Sequence, residues 1–229
     1  MPIVEKQLAT TIEQPILIEI GEGIRLRGDQ IVPEERFGLV LFAHGSAVGR
    51  SSSVSLRIVS ELEEQGLAVL TFDLLSADEQ EEEVRTGGRL LDVPLAASRF
   101  LEVAAWAGRQ LELSGLPIGL MGSGKVAAAA LVAAAERPAS LAAIVCQNGR
   151  TDLAGSALAQ VQAPALLVVG GADASLVRSN ESALLRLGSP RKELVMIPGA
   201  SSRLDDPGER ETVADLTAQW FGQNLILSC

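Results

Sequence analysis

Six short, unbroken apolar runs, interleaved with five stretches of helix length, constrain this chain more than any other feature of its sequence. The runs are Gly38–Phe42, Leu67–Phe72, Pro117–Met121, Leu141–Cys146, Ala165–Gly170 and Glu193–Ile197. Continuous rather than alternating hydrophobicity suits a strand covered on both faces, as in a parallel sheet. Helices are predicted at Ser53–Gln65, Val93–Gln110, Lys125–Arg137, Leu176–Leu187 and Glu209–Asn224. Strands alternating with helices build right-handed crossovers, so the expected fold is α/β: one doubly wound, mostly parallel sheet with helices on both faces. Upstream the pattern changes. Ile16–Ile20 and Ile24–Leu26 alternate in polarity across Gly21-Glu22-Gly23, which predicts an antiparallel hairpin with one wet face. The 229 residues contain no repeat and no linker. They read as a single domain, with 1–36 the N-terminal hairpin region and 37–226 the main fold.

Charge narrows the partners. With 29 acidic against 19 basic residues, the net charge is -10, and such a surface repels nucleic acid and anionic membranes. No apolar run reaches the roughly 18 residues of a spanning helix. The start, MPIVEKQLATT, lacks the apolar core of a secretory signal, so a cytoplasmic protein is expected. Cys146 and Cys229 are the only cysteines; they form no metal-ligand spacing and no disulfide framework, which fits a reducing compartment. No cofactor is expected, and a small-molecule ligand is the expected partner. The acidic run Asp78–Glu83 reads as a solvated loop or a helix start.

In a doubly wound sheet, ligands sit at the carboxyl ends of the strands. One loop there carries a motif, Gly119-Leu-Met-Gly122-Ser-Gly124-Lys-Val-Ala127. Gly119, Gly124 and Lys125 have the spacing of a phosphate-binding G-x4-G-K loop, but Val126 stands where a hydroxyl must hold magnesium. Gly122-x-Gly124-x-x-Ala127 matches a dinucleotide fingerprint. It follows the third buried strand rather than the first, and Gln147-Asn-Gly-Arg150 offers no acid for a ribose. The third reading is a nucleophile elbow, the strained strand-to-helix turn that exposes one residue above a sheet.

The surroundings favour the elbow. Leu41-Phe-Ala-His-Gly-Ser46, Leu70-Thr-Phe-Asp-Leu-Leu75, Gly115-Leu-Pro-Ile-Gly119, Asn148-Gly-Arg-Thr-Asp-Leu-Ala-Gly155, Ala163–Asp173, Ile197-Pro-Gly-Ala200 and Trp220-Phe221 follow one another in order. By these blocks, from about Phe37 to Phe221, the chain resembles the dienelactone hydrolase-like branch of the α/β-hydrolase superfamily, including hydrolase domains found beside phosphoribosyltransferases. The resemblance implies a Ser-His-Asp site for small esters or lactones. It places Gly122 at the first glycine of the elbow, Gly124 at the serine and Val126 at the last glycine. Ser123 stands one position too early. Asp173 keeps the acid position, and Ser202 occupies the histidine position. His44, the only histidine, lies in the His-Gly segment on the oxyanion side, with Ser46 and Lys125 nearest the backbone N–H donors.

Glycine offers no nucleophile, and Ser202 cannot act as a base near neutral pH. A bare oxyanion hole retains on the order of 10³-fold over water. The expectation is therefore a degenerate hydrolase-fold protein, a pseudoenzyme that binds a small molecule. Two alternatives stand beside it: an active hydrolase using a displaced base such as His44, and a nucleotide-binding protein using Gly122–Ala127. Cys146 could replace the nucleophile but reads as a small buried hydrophobe, while Trp106 and Trp220 read as packing.

Overall fold

One twisted sheet organises the chain in the computed structural model, which describes residues 12–45, 47–87 and 91–225. Its strands are β1 (Ile12–Ile20), β2 (Ile24–Val32), β3 (Gly38–His44), β4 (Leu67–Asp73), β5 (Ile118–Gly124), β6 (Ala143–Gly149), β7 (Ala165–Gly170) and β8 (Lys192–Ile197). They lie in the order β1-β2-β4-β3-β5-β6-β7-β8. From β4 to β8 all pairings are parallel, while β1–β2 and β2–β4 are antiparallel. Every residue of β3, β4, β6 and β7 is buried, which is why these strands read as continuous apolar runs. The hairpin is longer than its alternation suggested, running in register from Ile12↔Val32 to Ile20↔Ile24. Two residues that usually break strands sit inside it. Pro15 lies on the edge strand, where a missing donor is tolerated, and a Cβ on Gly28 would stand 2.5 Å from the Thr71 carbonyl oxygen.

Helices cover both faces. α1 (Ala47–Arg50), α2 (Ser53–Glu64), α3 (Ala77–Thr86), α4 (Val93–Ala107), α5 (Lys125–Glu136), α6 (Ala174–Arg186) and α7 (Pro207–Leu225) follow in chain order. α2 and α7 bury Ile58, Leu62, Val213 and Phe221 on one face; α4, α5 and α6 bury Phe100, Val103, Leu131 and Ala183 on the other. The acidic run forms part of α3, started by a capping box between Ser76 and Glu79 and stopped by Gly87 at φ 72°. No residue of α3 is buried, so it leaves no apolar periodicity in the sequence. A 3-10 segment, Thr151–Gln160, likewise had no predicted counterpart.

The seating of α7 depends on one small residue. A Cβ on Gly119 of β5 would meet the Phe221 ring at 2.5 Å, so the strand is bare where the aromatic crosses it. Phe221 is fully buried. Replacing it with alanine is expected to cost about 3–5 kcal/mol, transfer plus cavity. Val84→Ala, at a site 83% exposed, should stay within about 0.5 kcal/mol. Urea denaturation of the two variants checks both values.

Candidate functional site

β5 passes into α5 with no residue between them. Gly124 ends the strand and caps the helix with φ 54° and ψ −126°, a conformation that L-residues adopt only under strain. The turn is held from two sides. The Arg150 N–H donates to the Gly124 carbonyl at 2.9 Å, and a Cβ on Gly122 would lie 2.6 Å from Val126 Cγ1. At Gly124 itself nothing lies within 4 Å of where a Cβ would stand. The apex is thus open, and any side chain there would project freely. The small residues of Gly122–Ala127 serve packing: Ala127 is fully buried and its Cβ lies 2.9 Å from where a Cβ on Gly149 would be.

Ser123 precedes the apex. Phe42 and Met121 pair across β3 and β5 and both pack on the α2–α7 face, so strand alternation turns Ser123 to that same face. There it borders a cavity of about 420 Å³. Ser52, Ser53 and Ser55 at the start of α2 form one wall, and His44, Gln147 and Asn148 another. Ser202, Arg203 and Asp205, from the loop after β8, close it.

His44 ends β3 and is 5% exposed, its ring centroid 4.2 Å from that of Phe42. Burial, reinforced by the charge of Arg50, lowers its pKa to about 3, so the imidazole is neutral. Its Nε2 is sealed from solvent and has no hydrogen-bond partner among the described residues. Arg50, at the end of α1, bonds Asp29 and lies 3.4 Å from Asp73. Burial alone would lower the pKa of Arg50, but Asp73 and Asp29 raise it above its ordinary value. This bridge anchors α1 beneath the chain that leaves β3. Its members are far apart in the sequence, which is why no motif announced it.

Asn148 fixes the other side. At φ 44°, it accepts from the Gly170 N–H at 2.8 Å and donates to the Ser202 carbonyl at 2.9 Å. One amide therefore ties β6 to the end of β7 and to the loop that carries Ser202. The sequence offered a signal for it only within Gln147-Asn-Gly-Arg150, noted there for lacking an acid. Asp173 caps α6, its Oδ1 accepting from the Ser175 and Leu176 N–H groups at 3.0 Å each; Oδ2 makes no hydrogen bond among the described residues. The Ala172 N–H donates to the Ala200 carbonyl at 3.0 Å, holding the Asp173 turn against the loop before Ser202.

The structure therefore brings His44, Ser123 and Ser202 to one cavity. Gly124 and Asp173 stand at the carboxyl ends of β5 and β7 and do not line it. Lys125 opens α5 and its Nζ donates to the Leu91 carbonyl at 3.2 Å, a tether for the segment before α4. Ser46 lies outside the described residues. Cys146 is buried, its Sγ 3.6 Å from the Ala127 carbonyl, and burial pushes its pKa to about 12; it has neither exposure nor thiolate character. Among the described residues no three of His, Cys, Asp and Glu gather as metal ligands, and no helix is long and apolar enough to cross a membrane. In α3, Glu79 reaches Arg99 at 2.8 Å and Glu83 accepts from the Leu91 N–H at 3.1 Å.

No family profile matches the chain. A crystal structure of a dienelactone hydrolase from Anabaena variabilis is 40% identical, with a TM-score of 0.89, covering 94% of this chain and 99% of that one. Est1E from Butyrivibrio proteoclasticus, at 16% identity and a TM-score of 0.73, covers 91% of this chain and 98% of its own. The esterase domain of a Rhodothermus marinus protein, at 18% and 0.72, covers 93% and 100%. These last two share the fold. Two curated Mycobacterium tuberculosis proteins named "Putative phosphoribosyl transferase" are 38% identical over 203 residues. The match takes in 88% of this chain and 44% of theirs, so the chain spans less than half their length.

The neutral His44 has a thermodynamic signature. Its folded pKa, about 3 against an ordinary 6.5, means the unfolded chain binds a proton that the folded one refuses. The associated stability is present above pH 6.5 and is lost as pH falls from there toward about 3. Between pH 7 and pH 5 the loss is about 2 kcal/mol. Urea titrations at the two pH values should therefore show a stability difference smaller by about that amount in His44→Gln than in the parent.

Proposed function

The chain belongs to the dienelactone hydrolase-like branch of the α/β-hydrolase superfamily, and from that premise we propose that it has kept a ligand pocket and lost the hydrolytic machinery. The observation that carries this reading is Gly124. It stands at the apex of a strained strand-to-helix turn, with open space where a nucleophilic side chain would project. Two further observations support it. The loop after β8 offers Ser202 to the cavity, and a hydroxyl cannot take a proton from a nucleophile near neutral pH. The single histidine, His44, resists protonation by burial, whereas a general base must become a stable cation at the moment of attack. The protein then acts by binding a small molecule.

Ser123 and His44 line the same cavity, which is the one observation favouring a displaced hydrolytic pair. It is the weaker reading. No hydrogen bond joins them among the described residues, Nε2 of His44 has no partner, and a base with a pKa of about 3 accepts protons poorly at pH 7. The nucleotide reading is weaker again, because Gly122 is filled by Val126 and Gly149 by Ala127, leaving the glycines to helix packing.

Reconstruction tests the proposal. Gly124→Ser together with Ser202→His is expected to give measurable hydrolysis of p-nitrophenyl acetate, while either change alone gives none, because nucleophile and base act as a unit. In this proposal Asp173 orients the new imidazole through its free Oδ2, and the open apex leaves room for the serine. A side chain at this φ and ψ costs about 1–3 kcal/mol, so the melting temperature of each variant is read alongside activity. A folded double variant no more active than the parent would contradict the assignment of these positions.

A further inference from the structure

We infer that the cavity takes a neutral, polyhydroxylated ligand of monosaccharide size, an inference that rests on the binding role proposed above and names its ligand class. Its volume of about 420 Å³ falls in the range of roughly 300–1,000 Å³ typical of small-ligand sites. The polar groups facing it are the argument. Ser123, Gln147, Ser202, Arg203 and Asp205 all line the cavity, and their side chains make no hydrogen bond among the described residues. Gln147 is only 8% exposed, and a buried amide is ordinarily paired, so its open side chain marks a place where a ligand supplies the partners. Ser123, Ser202, Arg203 and Asp205 are exposed and stand around it.

The kinds of group choose the ligand. Arg203 and Asp205 cancel in charge, and His44 is neutral, so the lining carries no net charge with which to hold an anion. A phosphate or carboxylate would also face the Asp205 carboxylate. An apolar ester would leave the same donors and acceptors unpaired at the moment of burial, which disfavours it. Hydroxyl groups donate and accept at once. They can give protons to Asp205 and the Gln147 carbonyl, and take them from Arg203 and the Gln147 amide.

Saturation-transfer NMR with D-ribose, D-glucose and D-galactose tests this on the intact chain. At least one sugar is expected to bind saturably. Gln147→Leu and Ser202→Val should each weaken it about tenfold, the worth of one good hydrogen bond. Ser202 is exposed, so Ser202→Val keeps the test decisive if Gln147→Leu fails to fold. Inorganic phosphate and acetate, followed by thermal shift, serve as the anionic comparison. The inference is overturned if none of the three sugars binds, if sugar binding is unchanged in Ser202→Val, or if phosphate or acetate stabilises the protein and the sugars do not. Labelling of the same preparation by a fluorophosphonate reports separately on the proposed loss of catalysis. Absent sugar binding without labelling removes the ligand class alone, and labelling removes the non-catalytic reading.

Discussion

The close seating of α5 on β5 and β6 fixes the geometry of everything at the carboxyl edge of the sheet. Nine of the twelve residues of α5 are buried, most of them alanine, and a helix so thin can approach the strands almost to backbone contact. That approach leaves no linker between β5 and α5 and drives Gly124 to φ 54°. Gly122 and Gly149 are bare because Val126 and Ala127 occupy the space their side chains would need. The strained turn therefore follows from packing, with Gly124 at an open apex that bears no side chain.

Polar groups around the cavity divide into those that hold the frame and those left open. Arg50, Asp29 and Asp73 satisfy one another beneath α1, and Asn148 spends its side chain on Gly170 and Ser202. Such closed networks stiffen a pocket, since leaving a buried donor or acceptor unpaired costs about 1–3 kcal/mol. His44 lies between the two classes. It is packed against Phe42 and lies next to the Arg50 charge, and both conditions keep it neutral. The same burial that makes it a poor base makes it a stable part of the cavity wall.

Much of this was legible in the sequence. The six buried strands appear as apolar runs because both faces of the parallel region are covered, and the elbow could be placed from the glycine spacing and the order of blocks around it. Other features were hidden for physical reasons. α3 has no buried face, so its acidic residues could be a loop or a helix until the Ser76–Glu79 cap was seen. The full length of the hairpin was masked by Pro15 and Gly28, which are tolerated by edge position and demanded by close approach to β4. That Ser123 and His44 share a cavity is a matter of strand register, which no single stretch of sequence records. The pairing of Arg50 with Asp29 and Asp73 depends on three distant segments and left no local trace.

The central proposal is that no side chain among the described residues is poised for nucleophilic attack, although the fold that normally presents one is intact. Its most direct test is the intact mass of the native protein after exposure to a fluorophosphonate, with the adduct mapped by peptide sequencing. The account predicts an unmodified mass under conditions that label a catalytic serine stoichiometrically. Stoichiometric modification at Ser123, or at any other residue of the folded chain, would contradict it.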